Sequence, residues 1–182
     1  QVEKEACPLN LAPTASTTAS LALGDALAVA LLELRGFSAD DFARSHPAGA
    51  LGRRLLTYVA NVMRLGDDIP AVSSGASLTD ALLMMSQKRM GMTAVVDEAR
   101  KVLGVLTDGD VRRLFEKGVD VRTLRIDDVM HPNPHTIASD VLAVSAVEMM
   151  QTHRINQLLV VDQDHTLVGA LNVHDLFAAG VM

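Results

Sequence analysis

The stretch Gly104-Val105-Leu106-Thr107-Asp108-Gly109-Asp110 returns as Gly169-Ala170-Leu171-Asn172-Val173-His174-Asp175, each residue displaced by the same 65 positions. Met84-Met85, Arg89 and Val95-Val96-Asp97 return in the same register as Met149-Met150, Arg154 and Val160-Val161-Asp162. Val62-Met63 answers Val129-Met130 at an offset of 67, so the loops after these openings differ by two residues. A register held this long is an internal duplication. Each copy is too small to bury a core alone, so two similar units packed about a pseudo-twofold axis are expected. Ligand sites are then expected in the clefts between them.

Each copy has its own local pattern. Ser77 is placed to cap a helix whose Leu78, Ala81, Leu82 and Met85 share one face. The β-branched run Thr93 to Val96 predicts a strand, Asp97 to Lys101 a turn, and Val102 to Leu106 a second strand. Asp108 or Asp110 then opens a helix that runs through Leu114 and Phe115. In the second copy Val141, Val144, Ala146, Val147 and Met150 mark the helix, Leu158 to Val161 and Leu167 to Leu171 the strands, and Asp175 to Ala179 the closing helix. The class is α+β. The paired methionines read as core filler.

Residues 1–57 do not repeat. Leu23, Leu27, Ala30, Leu31 and Leu34 recur at helical spacing after the hydroxyl-rich run Thr14 to Ser20, and Gly36 stops the pattern. Those hydroxyls cap the helix or meet a phosphate. Ser38 is placed to cap a short helix, and Ser45 to Arg54 reads as a turn of small residues. The segment is not a complete fold, and Gln1 at the first position marks the chain as a piece of something longer. The opening residues resemble neither a signal segment nor a transit peptide.

Composition narrows the partners. With 49% hydrophobic and 21% charged residues the chain can build an ordered core. Its net charge of -6 lacks the basic footprint that nucleic acid requires. The uninterrupted apolar run Ala26 to Leu32 is far below the roughly 20 residues that span a bilayer, so no membrane partner is expected. The lone cysteine, Cys7, forms no internal disulfide and reads as a small hydrophobe. His131, His135, His153, His165 and His174 lie in the second copy; Pro132 and Pro134 forbid the helix that would make His131 and His135 a metal clamp, so scattered polar histidines and no metal are expected. Asp67-Asp68 and Asp127-Asp128 read as solvated loop charges.

The duplicated Gly, two apolar residues, Thr, two residues, Asp pattern, set between a strand and a helix and joined to the Val-Met openings and Val-Val-Asp turns, resembles the tandem CBS motif pair, or Bateman module. Leu11 to Thr18, Gly24 to Leu32 and Ser45-His46-Pro47-Ala48-Gly49-Ala50-Leu51-Gly52 resemble the end of a sugar isomerase (SIS) domain. The order of these parts is similar to that of the D-arabinose 5-phosphate isomerases, which interconvert ribulose 5-phosphate and arabinose 5-phosphate for Kdo and lipopolysaccharide synthesis. The resemblance implies an incomplete SIS remnant over residues 1–57, a first CBS repeat over 58–122 and a second over 123–182. It implies a cytoplasmic homodimer or tetramer. It also implies that the helix at 21–34 lacks the sheet it should cover.

Under that resemblance His46 matches the family's active-site histidine, a group able to move protons between C1 and C2 of a sugar phosphate. The family's other catalytic groups lie outside this chain, which is therefore expected to be inactive alone and needs no catalytic cofactor. Asp110 can accept both hydroxyls of a ribose, while Thr107, the free N–H groups of the helix start and Arg112 or Arg113 meet a phosphate, and Asp108 belongs with them among the expected nucleotide-binding residues. The alternative is that Asp110 merely caps its helix and Thr107 ends a strand. Asn172, His174 and Asp175 are the counterparts, with Asn172 replacing the hydroxyl and no arginine following Asp175, so the second site is expected to be empty or altered. Three functions remain open: a regulatory nucleotide sensor with CMP-Kdo as the ligand that pathway logic suggests, a working sugar-phosphate isomerase, and a ligand-free assembly module.

Overall fold

The computed structural model describes residues 2–38, 41–42, 45 and 50–182. The chain divides into two units, Gln1–Ser45 and His46–Met182.

In the first unit, helix α1 (Ala15–Leu34) begins six residues before the apolar stretch that announced it. Its start is capped by a distant carboxylate and not by its own hydroxyls. Glu5 accepts from the Thr14 N–H at 2.7 Å, the Thr14 hydroxyl at 3.0 Å and the Ser16 N–H at 3.2 Å. Hydrogen bonds from Ser16 and then Thr14 lower the Glu5 pKa to about 2. Thr17 and Thr18 spend their hydroxyls on the Thr14 carbonyl. At the other end Gly36 turns left-handed at φ 61°, and the N–H groups of Gly36 and Phe37 return to the carbonyls of Glu33 and Leu32. No residue of α1 is buried. By length and composition α1 suffices to cross a bilayer. The uninterrupted run Ala26 to Leu32 understated it because flanking Ala, Ser, Thr and Gly extend an apolar helix without breaking it. Asp25 and Glu33 interrupt its surface.

The second unit opens with α2 (Ala50–Leu56) and then builds the same motif twice. The first repeat runs β1 (Ala71–Ser73), α3 (Leu78–Lys88), β2 (Met92–Val96), β3 (Val102–Thr107) and α4 (Asp108–Glu116). After β4 (His131–Pro132) the second runs β5 (Thr136–Ala138), α5 (Ala143–His153), β6 (Gln157–Val161), β7 (Leu167–Asn172) and α6 (Val173–Ala178). β1 lies parallel to β2, which is antiparallel to β3; β5, β6 and β7 repeat that order in a second sheet. Even the irregularities recur. The register slips between Val95 and Val96 and again between Val160 and Val161. Arg89 and Arg154 end their helices in the left-handed conformation. The Asp97 and Asp162 carboxylates close the hairpins by accepting from the backbone N–H groups of Lys101 and Thr166, both at 2.8 Å.

Lys101 and Thr166 are equivalent residues, and they bridge each other. The Val102 N–H donates to the His165 carbonyl at 3.2 Å and the Leu167 N–H to the Arg100 carbonyl at 2.9 Å. The pseudo-twofold axis therefore passes between the two hairpin turns. Behind them the sheets share one core, where Met90, Met92, Ala94 and Val102 meet Leu159, Leu167 and Ala170. This is why β2 is buried along its whole length while β3 alternates.

The openings of the repeats cross over. Val59, which precedes the first repeat, is fully buried in the core of the second with Val147, Leu158 and Leu171. Ile126, which precedes the second, is fully buried in the core of the first with Leu78, Val95 and Leu106. The strap ahead of each repeat is tied down by backbone bonds: Val59 N–H to Val141 and Ala60 N–H to Ser139 on one side, Leu78 N–H to Leu124 and Ile126 N–H to Ala76 on the other. Asp127 belongs to this lashing, since it accepts from the Ser74 hydroxyl at 2.8 Å and the Gly75 N–H at 2.6 Å. Those bonds, Ser74 first, lower its pKa. It is not the free loop charge expected from the sequence.

Gly104 and Gly169 are the points where straps lie on strands. A methyl on Gly104 would come within 2.6 Å of Met130 Sδ and 2.8 Å of the His131 carbonyl oxygen; on Gly169 it would meet Met63 Sδ at 2.5 Å and the Arg64 carbonyl at 3.1 Å. Gly104→Ala is expected to destabilise the fold by about 1–3 kcal/mol through overpacking. Gly169→Ala is expected to cost somewhat less, because both sites meet a flexible methionine first but the rigid backbone carbonyl lies at 3.1 Å from the added methyl at Gly169 and at 2.8 Å at Gly104. Urea unfolding midpoints of the two variants check both the size and the order.

Candidate functional site

Crossing straps place residues of both repeats around one cleft of about 370 Å³. Its acidic floor comes from the end of β3 and the start of α4. Thr107 is the N-cap of α4 and Asp110 its third residue, and they form a reciprocal capping box. The Thr107 N–H donates to Asp110 Oδ2 at 2.9 Å and its hydroxyl at 2.6 Å, while the Asp110 N–H reaches the hydroxyl at 3.4 Å. Oδ1 faces the cleft. It takes a hydrogen bond from the Arg113 guanidinium and lies 2.7 Å from His131 Nε2. The Asp110 side chain is 6% exposed, whereas those of Arg113 and His131 are 58% and 64% exposed, so a buried carboxylate is met by two arms that reach it from solvent.

Met92, Val105, Ile155 and Leu159 form apolar walls, with Gln157 and His135 as further polar groups. The His135 ring stacks on His153 with centroids 3.9 Å apart. A buried carboxylate, an exposed guanidinium and imidazole, apolar walls and an amide suit a ligand that combines a diol, an anionic group and a flat ring.

The sequence-predicted residues separate into two places. Thr107 and Asp110 stand together in the cleft wall, and the capping role offered as the alternative is the one their hydrogen bonds display. Arg113, not Arg112, reaches the carboxylate, because it lies three residues beyond Asp110 on the helix. Arg112 is exposed and not in the cleft wall. Asp108 instead borders a smaller hollow of about 260 Å³ with Asn172, His174, Arg89 and Gln157. Asn172 caps α6, its Oδ1 accepting from the Asp175 N–H at 3.0 Å. His46 lies outside the described residues.

Sequence reasoning missed His131, His135, Gln157 and Arg64. His131 and His135 were read as scattered, yet both line the cleft. The usable signal was the offset of 67 at the repeat openings, which sets His131 against Arg64 as pseudo-equivalents. Among the described residues no cluster of three His, Cys, Asp or Glu is arranged to hold a metal.

Burial raises the Asp110 pKa, but the Thr107 hydroxyl and N–H, the nearby His131 and Arg113 together outweigh it, so the net shift is downward. A folded-state value below the unfolded one contributes stability above the unfolded pKa and loses it as pH falls through the folded pKa. Asp110→Asn is therefore expected to cost about 1–3 kcal/mol at neutral pH. The deficit should shrink toward zero as acid protonates the wild-type carboxylate. Chemical denaturation of both proteins at several pH values checks the convergence.

The CBS domain family model matches residues 59–117 and 126–181. Arabinose 5-phosphate isomerase KdsD of Pseudomonas aeruginosa is 56% identical over 181 residues, covering 100% of this chain and 56% of the relative. The enzyme of the same name from Escherichia coli is 55% identical over 182 residues, covering 100% and 55%. The chain thus spans about half the length of the curated relatives it matches. Among solved structures, CBSX2 in complex with AMP superimposes with a TM-score of 0.61 at 23% identity, over 69% of this chain and 96% of that one. A putative acetoin utilization protein, AcuB, from Vibrio cholerae gives 0.61 at 23%, over 70% and 92%. The CBS domain pair of protein MJ0100, in complex with 5-methylthioadenosine and S-adenosyl-L-methionine, gives 0.60 at 20%, over 67% and 94%. At these identities the structures establish the fold alone, and with the matched repeats on either side of the shared core the chain belongs to the CBS-domain family as a tandem pair, similar along its whole length to arabinose 5-phosphate isomerases.

Proposed function

We propose that this chain is the nucleotide-sensing portion of an arabinose 5-phosphate isomerase, binding its ligand in the Asp110 cleft and adjusting the sugar isomerase part through the strap that enters at residue 57. The observation that carries this reading is the pairing of identity to isomerases along the whole of this chain with a cleft whose carboxylate is held by two exposed, displaceable side chains. A ribose diol takes Asp110 Oδ1 and frees Arg113 and His131, which turn to the phosphate beside the Thr107 hydroxyl. The base enters between Met92, Val105, Ile155 and Leu159. Two solved CBS pairs of the same fold carry AMP and adenosine-type ligands, which supports a nucleotide. CMP-Kdo fits the same chemistry, since it joins a ribose, a phosphate and an acidic sugar at the end of the route that arabinose 5-phosphate supplies.

In this reading the parent enzyme converts ribulose 5-phosphate to arabinose 5-phosphate in the cytoplasm as a dimer or tetramer. His46 is one of its proton-transfer groups, and the chain by itself does not turn over. In this reading Arg113 takes the place of Arg112 at the phosphate, while Asp108, Asn172 and His174 border the neighbouring hollow of about 260 Å³ and not the cleft itself. Identity to isomerases along this chain also supports a second reading, a competent isomerase, which conversion of ribulose 5-phosphate by this chain alone would establish.

Calorimetric titration with CMP-Kdo, CMP, AMP and ATP tests the sensor. Selective binding is expected, weakened at least tenfold in Asp110→Ala, about 1.4 kcal/mol. No preference for CMP-Kdo over AMP or ATP removes the proposed ligand. No binding by any of them leaves a pair that serves assembly only.

A further inference from the structure

The two pseudo-equivalent carboxylates are held by different strap side chains. Asp110 faces His131 from the strap ahead of the second repeat, and Asp175 faces Arg64 from the strap ahead of the first. The arrangements are not equally open. Arg64 Nε lies 3.3 and 3.2 Å from the two Asp175 oxygens and Nη2 lies 3.2 Å from Oδ1, so both oxygens are engaged. Arg64 Nη1 donates to the Lys88 carbonyl at 2.7 Å, at the negative end of α3. One side chain therefore binds both repeats. Arg64 is 24% exposed and Asp175 20%, against 58% and 64% for the arms on Asp110. The 260 Å³ hollow beside Asn172 and His174 does not include Asp175 in its wall.

We infer that Arg64 is a built-in occupant of the second site: its guanidinium takes the place on Asp175 that a ligand diol takes on Asp110, so the pair holds one nucleotide per chain and keeps a latent second position shut. This deepens the reading above, because it rests on each repeat's carboxylate being a diol acceptor. Guanidinium and diol compete for the same oxygens. A bidentate, largely buried pair does not yield to a dilute neutral diol, while the exposed arms on Asp110 do.

The test counts CMP-Kdo, CMP and AMP bound per chain by calorimetry and equilibrium dialysis in wild type, Arg64→Ala, Asp110→Ala and the double variant, with circular dichroism to establish folding. Wild type is expected to bind one, Arg64→Ala two and the double variant one. Arg64→Met keeps the apolar stem and removes the guanidinium, and it stands in if Arg64→Ala does not fold. Failure to gain a site on removing the guanidinium overturns the inference, as does wild-type binding of two. Absence of wild-type binding refutes the Asp110 cleft as a sensor without touching the inference, which then stands or falls on whether the Arg64 variants acquire one site that survives loss of Asp110.

Discussion

The exchange of straps is the constraint on which the rest depends. Val59 and Ile126 are fully buried, each in the core of the repeat that it does not introduce. A single repeat would leave its strap's apolar residue in water and a hole in its own core. Filling that hole from the other copy makes the two repeats one cooperative body. The shared core of Met92, Ala94, Leu159 and Ala170 adds area, but the straps supply the topological link.

The same exchange builds the site. A strap that must reach across to seat Ile126 carries His131 and the residues after it over the end of β3, where Gly104 permits the close approach. Asp110 is thereby met by a side chain 21 positions away and not by its own helix alone. On the other face the equivalent path carries Arg64 to Asp175. One packing solution thus produces an open cleft with exposed arms and a tighter one with a half-buried ion pair. The difference between histidine and arginine at matched strap positions is what separates them. Histidine offers one short contact from an exposed ring, whereas arginine presents a planar fork that engages both carboxylate oxygens.

Much of the fold was legible. Ser77 caps α3 as its position suggested, with its hydroxyl accepting from the Asp80 N–H at 3.1 Å, and the strands begin and end within a residue or so of the β-branched runs. Thr107 and Asp110 were legible as a pair because a capping box is local, set by a spacing of three on one helix turn. His131 was not. Its role depends on a strap crossing between repeats, and Pro132 and Pro134 mark only an extended path without saying where it leads. The cap on α1 was hidden for a like reason, since Glu5 folds back from outside the helix. Asp127 read as a loop charge because Ser74 and Gly75, its partners, are remote in the chain.

What the sequence by itself determined is the duplication, the α+β order of each copy and the capping pairs Thr107 with Asp110 and Asn172 with Asp175. These follow from periodicity and near-neighbour geometry, which a linear chain displays directly. What only the tertiary structure decided is which strap covers which repeat, and with it the cations that meet Asp110 and Asp175. Crossed and uncrossed straps have the same local preferences, and the choice between them is made by where Val59 and Ile126 find a matching cavity. Burial of those two side chains is a property of the assembled cores, so it is written in no segment of the chain taken alone.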